Sequence, residues 1–231
     1  MTITEAQSLG EMVAASPASA AVFERLGLDY CCHGHDRLDD ACRAAGLDPP
    51  VVLKELAEAD AGADAVSAGH PADPAALTQY IESVHHAYLQ AELPALDALA
   101  EKVVGVHGQR HPELSEVRRL LAELRADLEP HLVKEERVLF PAIRNLLEGQ
   151  REFAFGTVRN PIRMMMLEHD RAGDLLAALR IVTSGYLVPD DGCAIYRSLY
   201  ERLVALEVDT HQHIHLENNV LFPAAVAIES P

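Results

Sequence analysis

The sequence predicts an all-α protein: an up-down-up-down four-helix bundle preceded by a small helical N-terminal domain. Three observations carry that expectation. An eleven-residue pattern occurs twice, as His131-Leu-Val-Lys-Glu135-Glu-Arg-Val-Leu-Phe-Pro141 and as His213-Ile-His-Leu-Glu217-Asn-Asn-Val-Leu-Phe-Pro223. Ala and Leu dominate, Trp is absent and aromatics are few, a composition that suits helices far better than sheets. Apolar residues recur at three- and four-residue steps over four long stretches, joined by short Gly-containing connections that favour antiparallel neighbours.

Taken in order, residues 1–60 read as a compact helical module. Pro17 after Ser16 starts a helix, Gly27 stops it, and Met12, Val13, Val22, Phe23, Leu26 and Leu28 supply a small core. Asp48-Pro49-Pro50 opens another helix through Val52, Leu53 and Leu56. So short a module buries little surface, so it is expected to lean on a metal, a partner or a neighbouring domain. Residues 61–74 are rich in Gly, Pro and small residues without periodicity, the composition of a flexible linker. The bundle is expected over 75–231. Its helices should run from about Pro74 to Val106, Pro112 to Leu147, Pro161 to Thr183 and Gly192 to Ala227. Pro94, Pro130 and Pro141 fall inside helical patterns, which predicts bends near the repeated motif.

Bulk properties narrow the function. A formal charge of −17 argues against a DNA- or RNA-binding surface, which needs clustered Lys and Arg. No run of eighteen apolar residues appears, and no basic segment followed by an apolar stretch opens the chain. The expectation is a soluble, cytoplasmic protein without a signal peptide or a membrane contact. Four cysteines in a chain of 231 residues do not make a disulfide framework, so reduced thiols are expected.

The repeat carries the chemistry. His and Glu four residues apart share one face of a helix. Upstream, His86 precedes Leu93 and Leu96 as His169 precedes Leu176 and Leu179. His86 lies 45 residues before His131, and His169 lies 44 before His213. Four histidines and two glutamates from four helices are the inventory of a two-metal centre inside a bundle. Imidazole with carboxylate suits iron, zinc or manganese, and a carboxylate can bridge two cations. The candidate metal ligands are His86, His131, Glu135, His169, His213 and Glu217. Each has an ordinary alternative as a half-buried polar residue. His85 rivals His86, and only the phase with Leu89 and Leu93 prefers the latter. In His211-x-His213-x-His215 the repeat selects His213 and leaves His211 and His215 on the solvent side. Glu136 should point away from Glu135, and Glu168-His169-Asp170 also reads as a plain charged surface.

These residues resemble the hemerythrin-like domain of the Repair of Iron Centres family. The resemblance rests on His131-x-x-Lys-Glu135-Glu-x-x-Leu-Phe-Pro, Glu168-His169-Asp170 and His213-x-x-x-Glu217-Asn-Asn-x-Leu-Phe-Pro, and extends to Asp29-Tyr30-Cys31-Cys32, similar to that family's short cysteine-containing domain. It implies two non-haem iron ions per chain, oxo- or hydroxo-bridged, on the six ligands above. Cys31 and Cys32 would be the reactive residues, and iron–sulfur proteins damaged by nitrosative or oxidative stress the clients. The family often has Gly-Gly after its cysteines, whereas this chain has His33-Gly34-His35. Those histidines would bind a metal with the thiols or, protonated, lower the thiol pKa; the plain alternative is an ordinary loop of polar residues. Cys42 is placed to join them, and Cys193 at a helix start reads as structural. Three functions follow from the resemblance: cluster repair by supplying iron or electrons, reduction of nitric oxide to nitrous oxide at the paired metals, and a sensor or carrier of oxygen or nitric oxide. The chain would act as a monomer or homodimer.

Overall fold

The computed structural model describes residues 4–62 and 70–229, and among these it contains helices and no β-strand. The N-terminal helices begin and end where local chemistry dictates. Helix α1 (Leu9–Ala15) starts on a capping box, in which the Ser8 hydroxyl accepts from the Glu11 N–H and the Glu11 carboxylate accepts from the Ser8 N–H. Helix α2 (Ala18–Leu26) follows Pro17 and ends at Gly27, whose φ of +68° suits only a residue without Cβ. Helices α3 (Leu38–Ala45) and α4 (Pro49–Gly62) complete the set. Met12, Val13, Val22, Phe23 and Leu28 are buried as expected, joined by Leu9, Tyr30, Leu38 and Leu56, while Leu26 is half-buried. Of the linker expected over 61–74, residues 63–69 lie outside the described residues; helix α4 runs to Gly62 and the next helix opens at Pro74.

The remaining helices are α5 (Pro74–Ile81), α6 (Ala87–His107), α7 (Glu113–Lys134), α8 (Phe140–Leu147), α9 (Arg159–Val182), α10 (Ala194–His215) and α11 (Phe222–Glu229). Between α5 and α6, α7 and α8, and α10 and α11 the chain does not break. It widens into π turns at Glu82–His86, Glu135–Leu139 and Leu216–Leu221. Pro94 and Pro130 are accommodated inside α6 and α7 without ending them. No helix of the described residues is long and apolar enough to cross a membrane.

Two compact units are distinguished: Met1–Tyr80 with His211–Pro231, and Ile81–Thr210. Within the second, neighbouring helices are antiparallel. Glu101 meets Arg118 and His86 meets Glu136 across α6 and α7. Asp127 meets Arg171 and His131 meets Glu168 across α7 and α9. Glu207 takes Arg180 across α9 and α10, and Arg202 takes Glu92 across α10 and α6. The order is up-down-up-down around a core of Leu89, Leu93, Leu96, Val117, Leu121, Leu124, Leu176 and Leu203. In the first unit, the N-terminal helices pack with the end of the chain: Glu24 holds His211 at 2.6 Å, and the Tyr30 ring lies 5.6 Å from that of His215.

Candidate metal centre

The π turns coincide with the repeated motif. In each repeat the glutamate opens or sits within the turn, and its carbonyl accepts from the N–H five residues on: Phe140 to Glu135, and Phe222 to Glu217. The residue after each phenylalanine is proline, which supplies no N–H to the carbonyl four residues back and crowds it sterically. A wider turn upstream relieves that conflict, and such turns concentrate at functional sites. The first π turn, which ends in His85 and His86, has no proline in the equivalent place, and nothing local accounts for it.

In the second unit His86, His131, Glu135 and His169 converge, each at most 1% exposed. Glu135 is the hub. One carboxylate oxygen lies 3.5 Å from His86 Nε2 and 3.3 Å from His131 Nε2, and the other lies 4.0 Å from His169 Nε2. The Nε2 atoms of His131 and His169 are 3.0 Å apart. The outer nitrogens are anchored by carboxylates: His86 Nδ1 sits 3.0 Å from Glu136 and His131 Nδ1 sits 2.8 Å from Glu168. A ring donating its Nδ1 proton to a carboxylate presents a bare Nε2 lone pair on its other side. With Nδ1 protonated, the form the carboxylate partners favour, the Nε2 lone pairs of His86 and His131 face the buried Glu135 carboxylate. Lone pairs against an anion in that setting call for a cation between them. The donor set of imidazoles and carboxylate suits iron, zinc or manganese. The ring of His86 is further held by stacking on Phe140, centroids 5.5 Å apart.

The first unit brings the second repeat's pair together: His213 Nε2 lies 3.0 Å from Glu217, both fully buried. All six predicted ligands are therefore buried, four in one unit and two in the other. His85, the rival of His86, is bonded instead to Asp209 at 2.9 Å.

Two functional carboxylates escaped the sequence reading. Glu136, expected to point elsewhere, orients His86, and Glu168, read as plain charged surface, orients His131. Glu168 is also paired with Lys134. Its acidity is raised to a pKa of about 2, chiefly by the hydrogen bond from His131 and then by Lys134, against the opposing effect of burial. The only signal available was adjacency to a ligand, since which helix a neighbouring Glu reaches depends on how the helices pack. A further expectation is corrected: His211 and His215 are not on the solvent side. His215 is 3% exposed and His211 is half-buried, because the N-terminal helices cover that face.

The cysteine loop lies in the first unit. Asp29 organises it, accepting from the N–H groups of Cys31 and Cys32 at 3.1 and 2.9 Å and from the Cys31 thiol at 3.2 Å. The two sulfurs are 3.7 Å apart, Cys31 buried and Cys32 partly exposed. Asp29 and both thiols could together grip a metal, with ligand atoms within 4.8 Å of one another. Cys42 is outside that group, buried in α3. The expected acidification of the thiols by histidine is not seen at Cys31. His33 gives its Nδ1 to Asp29 at 2.6 Å, and His35 is largely exposed beside Asp36. The hydrogen bond with Cys32, burial and the Asp29 charge push the Cys31 thiol pKa well up. Cys193, in the bundle, is exposed, with its sulfur 3.0 Å from His107 Nε2.

Comparison with known proteins agrees with this geometry. Residues 77–225 match the hemerythrin HHE cation binding domain, and residues 5–60 match a domain of unknown function, DUF542. The iron-sulfur cluster repair protein ScdA of Staphylococcus haemolyticus is 32% identical, over 95% of this chain and 98% of its own. Two proteins described as iron-sulfur cluster repair protein YtfE are similar to the same extent. That of Musicola paradisiaca is 35% identical over 97% of this chain and 98% of its own, and that of Escherichia coli O157:H7 is 34% identical over 96% and 98%.

Proposed function

We propose, for a chain that belongs to the hemerythrin HHE cation binding domain family and, along nearly its whole length, with the ScdA and YtfE iron–sulfur cluster repair proteins, that it restores iron–sulfur clusters damaged by nitrosative or oxidative stress. The observation that carries this reading is the buried set of imidazole Nε2 atoms turned towards Glu135, with Glu136 and Glu168 holding two of the rings from behind. His86, His131, Glu135, His169, His213 and Glu217 would hold two iron ions, with Glu135 and Glu217 as the bridging carboxylates. Bound there, iron would supply one-electron chemistry and an exchangeable store of the metal. The protein's part is to keep the imidazoles in one tautomer, exclude water and balance charge with two carboxylates. Residues 1–60 would act as the cysteine-bearing module of the same protein, Cys31 and Cys32 taking up iron as thiolate ligands and passing it to the client.

The test is metal content and repair in one preparation. Protein purified without oxygen should carry about two irons per chain and restore activity to a cluster enzyme damaged by nitric oxide. The double change Cys31→Ser with Cys32→Ser should leave the iron in place and abolish repair. Zinc alone, or no metal after anaerobic purification, would overturn the di-iron assignment. Repair that survives the double change would remove the cysteines from the pathway.

A further inference from the structure

The two repeats diverge just after their glutamates: Glu135-Glu136-Arg137 against Glu217-Asn218-Asn219. In the first, the residue after the ligand turns to His86. In the second, both following residues are amides, and both reach the cysteine loop. Asn219 Nδ2 donates to the Tyr30 carbonyl at 3.1 Å and the Cys31 carbonyl at 3.2 Å, and lies 3.2 Å from His215 Nδ1. Asn218 Nδ2 donates to the Cys31 carbonyl at 3.3 Å. Backbone closes in tightly on the Asn219 side chain. A Cβ on Gly34 would stand 2.4 Å from Asn219 Oδ1, and one on Gly10 would stand 2.8 Å from Asn219 Cγ. The Gly10 N–H closes this socket by donating to the Gly34 carbonyl at 2.7 Å. Neither glycine adopts a positive φ, so it is the space taken by Asn219, together with the Tyr30 carbonyl 2.5 Å from a Cβ on Gly34, and not backbone freedom, that calls for glycine.

We propose that Asn219, seated between Gly10 and Gly34, is a positioning residue that locks the Cys31–Cys32 loop onto the turn carrying Glu217, so that thiol reactivity and the state of that ligand are coupled; this rests on the repair reading above. The lock has two jaws. Asp29 holds the N–H groups of Cys31 and Cys32, and Asn219 with Asn218 holds the Cys31 carbonyl. Asn219 lies two residues beyond Glu217, inside the turn closed by the Phe222-to-Glu217 bond. A shift of Glu217 therefore moves the amide, and the amide moves the loop. Coupling of this kind is reciprocal.

The experiment follows iodoacetamide alkylation of Cys31 and Cys32 by peptide mass spectrometry, in the full chain as purified with iron and after chelation. In the natural sequence Cys31 should react slowly, and removing the metal should speed it about tenfold. Asn219→Ala should keep its iron, raise the Cys31 rate by about the same factor, and erase the difference between loaded and stripped protein. Gly10→Ala approaches from the other wall. It should reproduce that behaviour alone and add nothing in the Asn219→Ala background. Rates and metal sensitivity that match the natural sequence in both variants would overturn the proposal. So would loss of helicity in both, which would make Asn219 part of the general scaffold. If the natural chain carries no iron, the repair reading fails by itself; the alkylation rates of the variants still report whether Asn219 holds the loop.

Discussion

The candidate ligand histidines are set by carboxylates outside the candidate donor set. His131 is aimed by Glu168, whose low pKa records how strongly the pair favours the carboxylate. Glu168→Ala should therefore weaken iron binding by about 10- to 100-fold while leaving helix content unchanged; titration with ferrous iron under anaerobic conditions measures it. At Cys31 the sign is opposite to a conventional reactive thiol. Its pKa is raised above the ordinary 9.0 by Cys32, burial and Asp29. The stabilisation that comes with the neutral thiol is complete below the unfolded value and is lost as pH rises through the folded one. Cys31 should thus stay refractory to alkylation at pH 7, and its rate should still be climbing past pH 9. A rate that levels off near neutral pH would contradict the buried, Asp29-facing thiol. The candidate ligands were legible because chance rarely writes His-x-x-x-Glu twice inside apolar helices. Glu136 and Glu168 were not, since sequence adjacency does not reveal which neighbouring helix a side chain meets.

At the scale of elements, the helix spans were readable from apolar spacing and punctuation, and observed ends fall within a few residues of the expected ones. The π turns were not, although Leu-Phe-Pro, written twice, was their mark. Proline inside these helices predicts a bend; what local spacing does not reveal is the π turn that precedes Pro141 and Pro223, at Glu135–Leu139 and Leu216–Leu221. Pro141→Ala restores the missing donor and removes the conflict with the preceding turn. The helix should then relax towards α geometry, raising or holding the melting temperature while loosening the ligand geometry of Glu135. Iron retention during dialysis against a chelator should fall by about tenfold. A variant that melts higher and retains iron equally well would show that the π turn is not what orients Glu135.

Across the whole molecule, the expectation that a short N-terminal module needs support is met by the segment it packs with. Tyr30 is 1% exposed, and its ring lies against His211 and His215 near the other end of the sequence. Glu24 is bonded to His211 in the same place. A peptide of residues 1–62 alone should consequently fail to fold stably, with poorly dispersed amide resonances and rapid hydrogen exchange, whereas the full chain protects these amides. A well-folded isolated peptide would mean the module's own core suffices. The sequence signals for both parts were present, but contacts such as Glu24 with His211, 187 positions apart, leave no local pattern in either.

That distance has a consequence in time. On a ribosome adding roughly 5–20 residues per second, Asn219, which follows Cys31 by 188 residues, emerges on the order of 10–40 s after the cysteine loop. For that interval the nascent chain carries two adjacent thiols without the amides that will clasp them. A message cut short before the second repeat would leave the thiols without Asn218 and Asn219, whose side chains bond the Tyr30 and Cys31 carbonyls.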